Sequence, residues 1–262
     1  MIDDSPTKRY GPKVEGVDVH HNPTPGPADQ PFLYGQRPPL RGGARATISL
    51  ALRHLQWGPL ALPLRAMLYV RQRIMATIPK SRHWQRFATK LQLAARLVEW
   101  IIPILKKAGK KVWIVIDGGY TKRPFLKRAL KQGVTIIGRL RKDAALRDLP
   151  PKLPKRKRRG RGRPRKYGKN RISLAKRAGQ KRGWQTIDCM VYREEKTKTY
   201  KTFLATYGPV GGMIRGVLVK EDHGWYAFFC TDPTVSVKAN LAERQGWKDL
   251  PIVLPLNKIF MI

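Results

Sequence analysis

The chain has 262 residues, with 54 Lys+Arg against 17 Asp+Glu and a formal net charge of +37. A compact protein this basic repels itself unless a polyanion offsets it, so nucleic acid is the default partner and an anionic membrane the second. Hydrophobic residues make up 42% and aromatics 9%, which excludes wholesale disorder.

Two cysteines, Cys189 and Cys230, exclude a disulfide framework and a Cys-based zinc site and fit a reducing compartment. The apolar stretch Leu97 to Leu105 is broken by Glu99 and Pro103, well short of the roughly 18 residues of a membrane span. The N-terminal MIDDSPTKRY lacks the basic-then-apolar pattern of a signal peptide. A cytoplasmic protein with no membrane partner is expected.

Residues 1–45 hold Pro6, Pro12, Pro23, Pro25, Pro27, Pro31, Pro38 and Pro39, which predict turns and extended chain. Ala46 to Leu52 reads as a buried strand. Trp57 to Gln72 is apolar but broken by Pro59 and Pro63, and reads as strand or loop. From Gln85 the period changes. Phe87, Leu91, Ala94, Val98, Ile101 and Leu105 recur every three to four residues, the pattern of an amphipathic helix. Pro103 should bend its last turn, and Gly109 should stop it. Val112 to Ile116 is a continuous apolar run, as in a strand buried on both faces. Thr121 is placed to cap a second helix that runs to about Gln132 and ends at Gly133. Val134 to Leu140 is the next strand. Helix, strand, helix and strand with tight connections predict a parallel α/β unit.

From Leu149 to Thr186 there are sixteen Lys/Arg and no acid, which predicts a linker, arm or loop. Four β-like runs follow, IDCMVYR, TYKTFLATY, MIRGVLVK and WYAFFC, spaced as in an antiparallel meander.

The acids are informative because they are few. Between Gln30 and Lys142 only Glu99 and Asp117 occur. Glu99 lies on the predicted helix, where it can face solvent. Asp117 closes an apolar strand, where α/β folds build their sites; a turn or helix-capping role before Gly118-Gly119 is the alternative. Asp3-Asp4 forms a second cluster, either solvated, paired with Lys8 or Arg9, or bridged by a metal. His20-His21 lacks a third ligand at metal-site spacing and reads as a polar turn. Trp184, Trp225 and Tyr226 are candidates for base stacking or for strand-face packing.

Within the basic segment, RGRGRPRKYG (Arg159 to Gly168) resembles the AT-hook, an extended Arg-Gly-Arg-Pro core that lies in a narrow A·T minor groove. Gly permits close approach, Pro keeps the chain extended, and Arg is drawn to the negative potential of the groove. An unspecific basic loop for any phosphate backbone is the other reading. Arg161, Arg163, Arg165 and Lys166 are the DNA-binding candidates here.

Three stretches in order, IDDSPTKRYGPKVEG, HHNPTPGPADQPFLYG and VWIVIDGGYTKRPFLKRAL, resemble the DDE transposases of bacterial insertion sequences. GRLRKDAALRDLP and the strands from KTFLATY to WYAFFCTDP continue the pattern over most of the chain. The resemblance implies an α/β, RNase H-like mixed sheet with a β-rich insertion and a basic arm. It divides the chain into a core (1–148), a DNA-binding arm (149–186), a β-rich insertion (187–232) and an atypical tail (233–262). It implies metal-dependent cleavage and strand transfer of double-stranded DNA at transposon ends, A·T-rich if the hook reading holds. A nucleoid location follows, with a homodimer in the full-length family. Asp3 matches the first acid, with Asp4 its neighbour, and Asp117 matches the second. Asp3 and Asp117 would hold Mg²⁺ or Mn²⁺, and Tyr120, Lys122 and Arg123 would lie near the phosphates.

Departures from the family pattern are also visible. The strand that should carry Asp3 is expected to be cut short at the chain start, and QRPPLRGGAR (Gln36 to Arg45) interrupts an expected strand. No third acid stands in the expected helix, where Glu243 is the weak substitute. The tail LPIVLPLNKIFMI has no helical period. An inactive copy truncated at both ends is therefore expected. A non-catalytic basic DNA-binding protein is the alternative, and an RNA-associated protein a more distant one.

Overall fold

A computed structural model of the chain describes residues 1–8, 18–20, 40–54, 58–79, 86–107, 109, 111–151, 165–191, 194–221, 224–235 and 237. In chain order the strands begin with β1 (Ile2–Lys8), β2 (Asp18–His20), β3 (Leu40–His54) and β4 (Gly58–Tyr69). Next come β5 (Trp113–Ile116), β6 (Thr135–Leu140), β7 (Leu146–Arg147) and β8 (Arg171–Ile172). The last four are β9 (Gln185–Val191), β10 (Glu194–Tyr207), β11 (Gly212–Glu221) and β12 (Gly224–Cys230). The helices are α1 (Gln72–Thr77), α2 (Lys90–Lys107), α3 (Arg123–Lys131) and α4 (Leu174–Gly179).

All twelve strands join one sheet, in the order β2-β3-β1-β5-β6-β12-β11-β10-β7-β8, with β4 added on β3 and β9 on β10. Pairing is parallel from β1 to β5 and from β5 to β6, and antiparallel elsewhere. The helix–strand–helix–strand unit read from the sequence is thus the parallel centre of a mixed sheet. The predicted meander is also present, and its last strand, β12, pairs with β6 and extends the same sheet.

Three details differ from expectation. Chain near the N-terminus is more regular: β1 pairs with β3 over Ile2 to Lys8, and β3 begins at Leu40, so Arg41 to Arg45 are strand residues. Pro59 and Pro63 are accommodated because, among the described residues, β4 pairs only with β3, and an edge strand tolerates a missing donor. A register shift at Ile48/Ser49, opposite Pro63, absorbs the break. Helix α2 starts at Lys90, because Thr89 and Gln92 form a capping box. The Gln92 amide donates to Thr89 Oγ1 at 3.3 Å, and the Thr89 amide donates to Gln92 Oε1 at 2.8 Å. Phe87 precedes that box and is exposed.

Helix α2 packs on α3, β3 and β4. Ala94, Val98 and Ile101 are buried as the period predicts, joined by Leu93, Leu97 and Ile102. Positive-φ glycines end both long helices, Gly109 after α2 and Gly133 after α3. Glu99 is only partly exposed to solvent. Its carboxylate takes Arg128 Nε at 2.8 Å and Nη2 at 2.6 Å, a two-pronged pair that joins α2 to α3.

Candidate functional site

The parallel centre of the sheet fixes the candidate site. Ile2 of β1 pairs with Ile116 of β5, and both are fully buried. Asp3 follows Ile2 along β1, and Asp117 follows Ile116 just past the end of β5, so each acid comes directly after this pair. Asp4 is one residue further along β1, in the alternate set of positions. Sequence reading placed Asp117 at the C-terminal end of a central parallel strand, and it is there.

Asp117 begins a tight 3₁₀ turn, Gly118–Tyr120, with its own backbone extended (φ −79°, ψ 167°). The turn is closed by the Tyr120 amide donating to the Asp117 carbonyl at 3.1 Å. The Asp117 carboxylate makes no capping bond to this turn, so capping does not explain the acid. Thr121 does not cap α3 either. Its hydroxyl donates to the Gly118 carbonyl at 2.7 Å, and Lys122 takes the cap position without a side-chain bond. Pro124 in the first turn sets the helix start instead.

Asp117, Gly118, Gly119 and Lys122 line an open cleft of about 540 Å³, with Arg139, Arg141, Lys142 and Asp143 opposite. Lys122 and Arg123, expected beside phosphates, are exposed at the start of α3. Tyr120 departs from that expectation. It is 3% exposed and packs edge-on to Phe125 at 6.0 Å, so it is a core residue. Arg165 and Lys166 are exposed, while Arg161, Arg163 and Glu243 lie outside the described residues.

The far wall of the cleft was not singled out from the sequence. Its signal was GRLRKD directly after the apolar run of β6. The Asp143 carboxylate accepts from Arg141 Nε at 3.0 Å and Nη2 at 3.1 Å, and that pairing holds it below the usual carboxylate range. Arg139 lies over the Tyr226 ring at 4.9 Å, Lys142 over Trp225 at 5.1 Å, and Lys201 over Trp184 at 5.0 Å. The three aromatics thus support cations. All are half-buried, and the two tryptophans pack against the main core.

A metal can be tested against this donor set. A carboxylate such as that of Asp117 supplies oxygen ligands, which suit a hard divalent cation. Among the described side chains no cluster of three His, Cys, Asp or Glu is set to hold a metal. Among the described residues no helix is long and apolar enough to cross a membrane.

A mixed sheet with an acid at the end of its central parallel strand, lining a cation-rimmed cleft, suits an anionic ligand such as a phosphate ester. The family model for DDE superfamily endonucleases matches residues 1–203, and the chain belongs to that family. The sheet is accordingly an RNase H-like one. Enzymes of this family act on DNA and generally depend on divalent metal ions. No curated protein matches the chain.

Proposed function

We propose that the chain is the core of an insertion-sequence transposase that binds double-stranded transposon ends and holds a divalent cation, Mg²⁺ or Mn²⁺, between Asp3 and Asp117. The observation that supports this reading is the Ile2–Ile116 pairing, since Asp3 and Asp117 each come directly after it in the chain. A cation held there would supply activation of a water or 3′-hydroxyl and stabilisation of the leaving oxygen.

The chain's own residues do the rest. Lys122, Arg123, Arg139, Arg141 and Lys142 neutralise the phosphates on either side of the scissile bond. Helix α3 supports this assignment. It has no acid in its first turn, and Lys122 and Arg123 sit where the helix dipole is already positive. Cations there cost about 0.3–1 kcal/mol each, and a bound phosphate offsets that cost. Asp143 pairs with Arg141 at the rim of the cleft. Arg161, Arg163, Arg165 and Lys166, within the arm of residues 149–186, hold flanking DNA.

The inactivity expected from the sequence is retained as part of the proposal. Glu243 is the remaining candidate for a third acid, and Pro251 and Pro255 limit any helix that could present it. Catalysis of this kind is sensitive to misplacement of about 1 Å. The test is purified protein with duplex DNA carrying the element ends, in Mg²⁺ or Mn²⁺. The proposal predicts binding without strand transfer. Strand transfer abolished by Asp117→Asn would establish a working transposase and overturn the inactivity. Failure of the wild type to bind duplex DNA would overturn the whole reading.

A further inference from the structure

Strands β7 and β8 are only two residues each, pairing Leu146 with Ile172 and Arg147 with Arg171. Such a short stem is marginal by itself, and Asp148, the residue after β7, reinforces it. The Asp148 amide donates to the Asn170 carbonyl at 3.0 Å, and its carbonyl accepts from the Gly168 amide at 3.0 Å. Its Oδ1 accepts from the Asn170 amide at 3.1 Å, and its Oδ2 from Asn170 Nδ2 at 2.9 Å. Thr206 of β10 donates its hydroxyl to the Asp148 carbonyl at 3.0 Å, which ties the clasp to the sheet. Arg147 Nη1 reaches the Lys169 carbonyl at 3.4 Å.

Gly168 is buried in this clasp. A Cβ at that position would stand 1.6 Å from Asp148 Oδ1 and 2.5 Å from the Asp148 carbonyl oxygen. Only glycine fits. Five exposed cations ride on the clasped segment: Arg147, Arg165, Lys166, Lys169 and Arg171. Asp148 stands at the threshold of the basic run, since residues 149–186 contain no acid. By charge alone, an acid here weakens attraction for a polyanion.

We propose that Asp148 is a positioning residue for nucleic acid, which clasps these five cations into a fixed phosphate-binding cluster at the β7–β8 edge of the sheet. The proposal rests on the DNA reading above. Its physical basis is preorganisation: cations held in place before binding lose less freedom on meeting the backbone than cations on a frayed stem.

The geometry and simple electrostatics predict opposite outcomes. Removing a negative charge should strengthen DNA binding, whereas opening the clasp should weaken it. The experiment measures binding of the full chain to a fluorescent duplex as a function of salt, for wild type, Asp148→Ala, Asp148→Asn and Gly168→Ala. Amide exchange at Gly168 and Asn170 reports whether the clasp is open. Asp148→Ala and Gly168→Ala should open it, weaken binding about tenfold near 0.1 M salt, and lower the magnitude of the salt slope by about 2. Asp148→Asn should stay near wild type, because its amide oxygen still accepts from the Asn170 backbone. Gly168→Ala changes no charge, so its loss cannot come from electrostatics. If Asp148→Ala does not fold, Gly168→Ala and Asn170→Ala carry the test. Open clasps with binding equal to or tighter than wild type would overturn the proposal. A wild type that binds no duplex would instead remove the DNA reading, and the proposal with it.

Discussion

Gly138 sits between the strand that carries Asp117 and the strand that carries the aromatic wall. It pairs with Ile116 on one side and Phe229 on the other. A Cβ there would stand 2.5 Å from Phe229 Cε1, 2.9 Å from Phe229 Cζ and 3.0 Å from Ile116 Cγ1. Phe229 and Ile116 are both fully buried, and Phe229 is held edge-on to Tyr207 at 5.8 Å, so the ring has little room to retreat. Gly138→Ala should therefore act as overpacking. At about 1–3 kcal/mol for overpacking and about 2–4 °C per kcal/mol for a domain of this size, Tm should fall by roughly 2–12 °C. Calorimetry on the single and double variants is the assay. Phe229→Leu removes the blocking ring atoms, so Gly138→Ala should cost less in that background, with a coupling of about 0.5 kcal/mol or more. A Gly138→Ala protein with unchanged Tm, or strictly additive effects, would refute the packing argument.

Pro103 lies inside α2, which continues to Lys107. A helix-interior proline costs about 3 kcal/mol, so Pro103→Ala should raise the thermal midpoint, as circular dichroism would record. The Asp232 carboxyl is lowered to about 2, first by the Thr234 hydroxyl and then by Lys111, whose ammonium is 3.0 Å away. A depressed carboxyl contributes stability above its unfolded value of about 3.9 and loses it as pH falls through the folded value. Asp232→Asn should therefore flatten the stability curve between about pH 4 and pH 2 in acid unfolding. Replacing Arg161, Arg163 and Arg165 with Ala should weaken duplex binding and lower the salt slope by up to about 3. Equal losses on A·T-rich and G·C-rich duplexes would exclude minor-groove reading.

Much of the central architecture was legible because its signals are local. The apolar run of β5, the helical period of α2 and the glycines after α2 and α3 each report a short-range constraint. Asp117 was legible for the same reason, as a rare acid closing a buried strand. The adjacency of β1 and β5, which sets Asp3 and Asp117 after the Ile2–Ile116 pair, was suggested only by the family resemblance, since it depends on which strand lies beside which, and more than a hundred residues separate the two acids. Pro59 and Pro63 masked β4, because edge position and a register shift are properties of the assembled sheet. Arg139, Arg141 and Lys142 were hidden in a charge-rich background, where one basic residue looks like another until a strand end gathers them. Tyr120 erred the other way: its place beside Asp117 suggested a substrate contact, but its ring packs into the core.

The central claim is that Asp3 and Asp117 form one cation site. Its most direct measurement is Mn²⁺ binding by electron paramagnetic resonance to wild type, Asp3→Asn, Asp117→Asn and the double variant, with Asp4→Asn as control. If the two acids share an ion, each single variant loses most of the binding, the double variant loses little more, and Asp4→Asn retains it. Full binding in Asp3→Asn, or additive losses from two independent weak sites, would contradict the account.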